Sequence, residues 1–271
     1  MTEESTPQSE QRRRSRSFGE VAEMYDAARL PYPDQLFDDV LAFAGPQGAP
    51  ALEIGAGTGK AALAFAARGV PLTCIEPDPR MAELLSRKCA DLPEATVTVT
   101  VGEFETWHPD RRYGLLYAAQ AWHWIDPEVR WARAREALLC PGGAIALFWS
   151  DWHVVDAALR GGLVAAHDRH FAETFPDEFV GSRTGGPASW VRQELAADGG
   201  FEDLEQRTYT SVHERSTAGF MDLLSSHSAY RIMPGGKREA LFAEVEPLVA
   251  AHGDTVRLET TTRLFLARTG P

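Results

Sequence analysis

Ala51-Leu52-Glu53-Ile54-Gly55-Ala56-Gly57-Thr58-Gly59-Lys60 reads as a buried strand that breaks into a glycine turn and opens a helix. Ala51 to Ile54 is apolar apart from Glu53. Ala61 to Ala67 is rich in Ala and Leu and is closed by Gly69, the residue expected just past a helix end. Glycines at alternate positions accept positive φ and let a ligand approach backbone without meeting a Cβ. The helix start adds N–H groups that no helical carbonyl takes up. α/β proteins use this geometry to hold nucleotide-like cofactors.

Spacing separates the cofactor classes. A phosphate loop ending in Gly59-Lys60 needs glycine where Ile54 stands and a hydroxyl residue where Ala61 stands. The dinucleotide fingerprint begun at Gly55 finds Lys60 in place of its third glycine, and Glu53 would repel a pyrophosphate. A cofactor carrying a sulfonium and an ammonium turns the same carboxylate into a favourable neighbour, while a plain tight turn is the bland alternative. The pattern Glu-x-Gly-x-Gly-x-Gly, from Glu53 to Gly59, resembles the first motif of class I S-adenosylmethionine-dependent methyltransferases. That resemblance implies that Glu53, Gly55, Ala56, Gly57, Thr58 and Gly59 cradle S-adenosylmethionine.

The whole chain sets limits on partners. Its 271 residues, 44% of them hydrophobic, suffice for one substantial α/β unit with an appendage. Apolar runs fall short of the roughly 20 residues of a membrane span, and the N-terminus is polar and not signal-like, so a cytoplasmic protein without membrane partners is expected. A formal charge of −12 disfavours a nucleic-acid partner. Cys74, Cys89 and Cys140 share no metal-type spacing and read as small buried residues. His167-Asp168-x-His170 reads as an exposed helix turn, so no metal site is expected. Arg12-Arg13-Arg14-Ser15-Arg16 lies in a Ser/Gln/Glu-rich stretch that reads as a solvated tail.

Between Ala51 and Trp149, strands and helices alternate. The strands are expected at Ala51–Ile54, Leu72–Ile75, Thr96–Val101, Leu115–Ala118 and Ala144–Trp149, with helices at Gly59–Arg68, Pro79–Ala90 and Glu128–Leu139. Beyond Trp149 the pattern gives helices at Val154–Phe175, Pro187–Gly199, Ala218–His227 and Lys237–His252. It also gives strands at Leu204–Val212 and Val256–Ala267, and a loop at Gly181–Pro187. The expected fold is α/β: a doubly wound, seven-stranded, mostly parallel Rossmann-like sheet with an antiparallel edge strand and a helical cap. Residues 1–17 form the tail, 18–50 a helical lid, 51–150 the cofactor-binding core and 151–271 the cap and edge strands.

Glu76 closes the second strand, where an acid can accept both hydroxyls of a ribose; capping the helix ahead of Pro77 and Pro79 is its alternative role. The resemblance extends the cofactor contacts to Pro77, Met81 and Gln120. The turn Gly102-Glu103-Phe104-Glu105 resembles the family's adenine-binding turn, with Glu103 accepting from the exocyclic amine and Phe104 offering the next N–H. Leu115 to Asp126 narrows the family further. Ala119-Gln120-Ala121-x-His123-Trp124-x-Asp126, followed by an Arg-rich helix and Leu139-x-Pro141-Gly142-Gly143, resembles the small-molecule methyltransferases that include trans-aconitate methyltransferase. Phe18, Ala22 and Tyr25-Asp26-x-x-Arg29-x-Pro31-Tyr32-Pro33 resemble that group's N-terminal lid, and Ser225-x-x-Ser228-Ala229-Tyr230 resembles its late helix.

The resemblance implies methyl transfer by in-line displacement, in which alignment of the reacting atoms is the main task. A carboxylate acceptor would need no general base, with Arg29 or Arg231 orienting it through paired hydrogen bonds. A hydroxyl or amine acceptor would call on His123 as base, with Tyr25 beside it. The acceptor is expected to be a small polar or anionic molecule enclosed by Tyr25, Arg29, His123, Trp124 and Tyr230, on a monomer or homodimer. Two readings stand beside this one: a non-catalytic binder of S-adenosylmethionine or a metabolite, and a nicotinamide-dependent oxidoreductase.

Overall fold

The computed structural model describes residues 22–45, 49–90, 92, 97–170, 186–231, 233–253 and 255–271 of the 271. The proposed tail, Phe18 and most of the Gly181–Pro187 loop lie outside the described residues. In chain order the elements begin with α1 (Ala22–Ala28), α2 (Asp34–Ala44), β1 (Ala51–Ile54), α3 (Lys60–Ala66), β2 (Leu72–Glu76), α4 (Pro79–Ala90) and β3 (Val97–Val101). There follow β4 (Leu115–Ala119), α5 (Arg130–Ala137), β5 (Ala144–Val154), α6 (Ala157–His170) and α7 (Gly186–Asp198). The chain closes with β6 (Phe201–Ser216), α8 (Thr217–Ser225), α9 (Ser228–Arg231), α10 (Gly235–His252) and β7 (Thr255–Thr269).

One seven-stranded sheet runs β3-β2-β1-β4-β5-β7-β6. β3, β2, β1, β4 and β5 are parallel, and β7 runs antiparallel to both of its neighbours. The reversal lies between β5 and β6, so the reversed strand is one position in from the edge. Strand order changes direction at β1, and the ends of β1 and β4 there open a crevice of the kind in which open α/β sheets bind ligands.

Period-two alternation builds a layer on each face. Leu52, Ile54, Leu116, Ala118, Ile145 and Leu147 pack with Trp131 and Ala134 of α5 and Val191 and Leu195 of α7. Their neighbours Ala51, Leu115, Tyr117, Ala144, Ala146 and Phe148 pack with Leu36, Phe37 and Val40 of α2 and Phe65 of α3. Each fully buried Leu, Phe or Val stabilises by roughly 1.5–3 kcal/mol. α2 therefore belongs to the sheet's packing layer, while the short α1 packs Ala22 and Tyr25 on Met81 and Leu84 of α4.

The core elements match their sequence signals because local chemistry specifies them. α4 starts on Pro79, buries Met81, Ala82, Leu84 and Leu85, and carries Arg87 and Lys88 in its last turn. The second half departs in length. β5 continues five residues past Trp149 to Val154, paired with β7 from Thr262 to Leu258, and α6 starts only at Ala157. Polar Ser150, Asp151 and His153 hide this strand; the buried Trp152 and Val154 between them are its period-two signal. β6 is likewise longer than expected, with a register shift between Glu202 and Glu205.

The extensions of β5 and β7 carry a third cluster, in which Trp152, Val154 and Leu258 pack with Leu159 and Leu163 of α6, Phe220 and Leu223 of α8, and Val245 of α10. Two expectations need correction here. His167 is fully buried, not part of an exposed turn: its Nδ1 meets the Leu163 carbonyl at 2.7 Å and its Nε2 meets the Tyr230 hydroxyl at 2.8 Å. Of the cysteines, Cys74 is buried but Cys140 is exposed. Among the described residues, no helix is long and apolar enough to cross a membrane.

Candidate active site

The glycine turn after β1 sets the geometry. Gly55, Gly57 and Gly59 all have positive φ, +65°, +57° and +88°, and they serve different ends. A Cβ on Gly55 would lie 2.5 Å from Ala121 Cβ, and one on Gly59 would collide with Leu85 of α4. These two glycines let the turn pack against its neighbours. A Cβ on Gly57 would meet nothing within 4 Å, and Gly57 lines both cavities that open here. Gly59, expected to touch cofactor, is absent from the described walls of both.

The first cavity, about 950 Å³, lies along the ends of β1, β2 and β4. Its walls bring together Tyr25, Gly55, Gly57, Glu76, Pro77, Met81, Glu103, Phe104, Gln120 and Trp124 from the sequence-derived set. Glu76 is buried; its Oε2 accepts from the Gly57 N–H at 2.7 Å and its Oε1 from the Asp78 N–H at 2.9 Å. Phe104 lines the cavity and its ring lies 6.0 Å from that of Trp122. Gln120 has φ +55°, unusual for a residue with a side chain, and its N–H is tied to the Phe148 carbonyl at 2.8 Å.

The second cavity, about 640 Å³, adjoins the first across Tyr25, Tyr32, Gly55, Gly57, Ala119 and Gln120. Arg29, Glu53, Ala56, Thr58, Lys60, Ser150, Trp152 and Leu223 complete much of its wall. α1 is strapped over this region: Asp26 Oδ1 accepts from Thr58 Oγ1 and Lys88 Nζ, each at 2.7 Å. Arg29 stacks on the Tyr25 ring at 4.8 Å and reaches the Ser226 carbonyl at 3.5 Å, while its buried Nε has no hydrogen-bond partner among the described residues.

Glu53 is almost wholly buried beneath this cavity, accepting from the Tyr117 hydroxyl at 2.9 Å. Desolvation pushes its carboxyl up to about 8 and that of Glu76 up to about 7. Both titrate above the ordinary 4.5 of an unfolded chain, so the folded state holds extra protons between those values. Stability of the cofactor-free protein should therefore be greatest below that window and fall as pH rises through it, by at most about 1.4 kcal/mol per pH unit for each group. Thermal melts of the wild type and of Glu53→Gln across the window check this; the variant should show the shallower decline.

Two site expectations are corrected by position. His123 and Tyr230 are not among the described walls of either cavity. His123 Nδ1 accepts from the Trp149 indole N–H at 3.1 Å, and burial, with Arg130's charge as a smaller cause, pushes its pKa down to about 4. Such an imidazole is a weak base. Tyr230 is fully buried against His167 and Phe242 in the cap. Conversely, Tyr32, Ser150 and Leu223 received no site role from sequence, while Trp152, which the sequence allowed either a pocket or a core position, lines the second cavity. Tyr32 stands in the same motif as Arg29 and was findable; Ser150 and Leu223 enter only because β5 is extended and α8 folds over it.

Comparison with known proteins agrees with this architecture. Residues 51–143 match the family model described as a methyltransferase domain. Uncharacterized methyltransferases of Mycobacterium tuberculosis and Mycobacterium bovis are each 28% identical over 238 residues, covering 88% of this chain and 87% of their own length. A proposed type II methyltransferase from Anaeromyxobacter dehalogenans shares the fold at TM-score 0.61 and 22% identity, over 90% of this chain and 99% of that one. The YcgJ protein from Bacillus subtilis does so at TM-score 0.54 and 13% identity, over 88% and 99%.

Residues 51–143 are thus a methyltransferase domain, and S-adenosylmethionine is the cofactor of this enzyme. The residues present fit that cofactor: Gly57 leaves open the space a side chain would fill, Glu76 lines the same cavity, and the Glu53 carboxyl lines the adjoining one.

Proposed function

We propose that the enzyme methylates a small polar or carboxylate-bearing metabolite held beside Arg29 in the second cavity, with the cofactor held along the first cavity and by the Glu53, Ala56 and Thr58 wall of the second. The observation that carries this reading is Arg29, a cavity-wall guanidinium whose buried Nε has no hydrogen-bond partner among the described residues. A planar guanidinium matches a carboxylate through two parallel hydrogen bonds. The likeness of Ala119–Asp126 to the trans-aconitate methyltransferase group supports the same acceptor class.

S-adenosylmethionine supplies a methyl group on a sulfonium that leaves as a neutral thioether. The protein's task is then to orient the acceptor and exclude water, which Tyr25, Tyr32 and Trp152 do as aromatic walls. A carboxylate is already a nucleophile, so the weak basicity of His123 is no obstacle.

A mass-spectrometric screen of metabolite pools for the gain of one methyl group identifies the acceptor. With it in hand, Arg29→Ala should lower turnover by roughly 10–150-fold, the equivalent of a lost charged hydrogen bond of about 1.5–3 kcal/mol, while S-adenosylhomocysteine affinity changes much less. Wild-type turnover in that variant would place the acceptor elsewhere.

A further inference from the structure

β6 is the outer strand of the sheet: it pairs with β7 on one side, and among the described residues no strand pairs with its other side. Along such an edge alternate residues point N–H and C=O groups outward, a template for a further strand that folds blunt with charge, proline or a bulge. Here the register shift lies between Glu202 and Glu205, and the stretch Thr208-Tyr209-Thr210-Ser211-Val212 beyond it carries neither charge nor proline. Thr, Tyr and Val are good strand formers. Thr208, Thr210 and Val212 are exposed, Val212 by 51%, so no described helix covers that face of the edge.

Charge decides what this edge accepts. From Glu205 to Arg215 the acids Glu205 and Glu214 balance the bases Arg207 and Arg215, in a chain whose formal charge is −12. A half-turn about an axis normal to the sheet at Thr210 sets a second copy antiparallel, each residue opposite the one equally far on the other side of Thr210. Opposite side chains then share a face. Glu205 meets Arg215 of the second copy, Gln206 meets Glu214, and Thr208 covers Val212; each pair forms twice. Arg215 makes no ion pair among the described residues, and Glu205 holds Arg207 at 2.8 Å through Oε2, which leaves Oε1 for a second cation. His213, which Arg207 would face, is held toward its neutral form by burial and by Arg215's charge. Sliding the register by two residues one way opposes Arg207 to Arg215. The other way aligns Arg215 with Asp203, inside the register shift and at φ +55°. A parallel pairing would set like charge beside like charge.

We infer that the outer edge of β6 is a homodimer interface, in which two copies pair antiparallel over the stretch from Glu205 to Arg215 and join their sheets into one. The pairing goes beyond the proposed function and does not depend on the acceptor. β6 runs directly into α8, where the Ser216 hydroxyl caps the helix by accepting from the Gly219 N–H at 3.2 Å and Leu223 lines the second cavity. The dimer therefore steadies the strand that carries one wall of that cavity.

The test is sedimentation velocity of the full chain over a concentration series, with melting temperatures reporting that each variant folds. The wild type should shift from monomer toward dimer as concentration rises. Thr210→Lys, which sets two ammonium groups opposite each other at the axis, should weaken the dimer about tenfold or more. Glu205→Arg and Arg215→Glu should each weaken it, and the double variant, which re-forms both pairs with their charges exchanged, should restore it. Thr210→Cys reads the register: this position alone faces its own counterpart, so mild oxidation should give a covalent dimer. Thr208→Cys, Val212→Cys and the wild type with its exposed Cys140 should give none. A wild type that stays monomeric throughout, a dimer indifferent to Thr210→Lys, or charge exchange without rescue would overturn the interface. So would a disulfide that forms as readily at Thr208→Cys as at Thr210→Cys, because the axis would then lie elsewhere.

Discussion

Gly57→Val is expected to give a folded protein that no longer measurably binds S-adenosylmethionine. The backbone at Gly57 has φ +57° and a Cβ there meets no atom within 4 Å, so the fold itself does not exclude a side chain. The folding penalty should be limited to the left-handed conformation, roughly 1–2 kcal/mol. The side chain would instead occupy space at the junction of the two cavities, both of which Gly57 lines. Gly55→Ala is the contrasting case: φ is +65° and the new methyl would lie 2.5 Å from Ala121 Cβ, which cannot swing aside without moving backbone. That variant should lose stability first. Cofactor calorimetry and melting temperature, measured on both, separate the two roles; retained affinity in Gly57→Val would show that this turn is not the cradle.

Glu76→Ala should weaken cofactor binding by roughly 10–150-fold, the equivalent of about 1.5–3 kcal/mol for hydrogen bonds to a charged group. Its carboxylate joins the glycine turn to the start of α4 by accepting from Gly57 at 2.7 Å and Asp78 at 2.9 Å. Each oxygen of a carboxylate has two lone pairs, so lone pairs are left for two ligand hydroxyls. A modest drop in melting temperature is also expected, because two backbone N–H groups lose their acceptor. If the melting temperature falls while affinity is unchanged, Glu76 serves the turn alone.

The sequence was most legible where one local rule decides the outcome. Ala51–Ile54 and Pro79–Ala90 were read to the residue, because a buried strand feeding a glycine turn and a proline-started amphipathic helix need no distant partner to be specified. Glu53, Glu76, Glu103 and Gln120 line the two cavities because each stands at or near a strand end, and the strand ends of a parallel sheet converge on one edge. Gly59 was assigned to the cofactor because glycine spacing alone cannot tell a ligand's approach from that of Leu85.

The misplaced residues failed for a different reason. His123 and Tyr230 carry functional chemistry, but their directions are set by Trp149 and His167, 26 and 63 positions away in the chain. Arg29, Lys60, Ser150, Trp152 and Leu223 reach one cavity from four separate segments. By itself, then, the sequence determined the order of strands and helices, the glycine turn and the acids beside it, since these follow from local periodicity and backbone freedom. Only the tertiary structure decided which glycine faces open space, which histidine is buried among aromatics and which cations share a wall, because these depend on packing between segments distant in the chain.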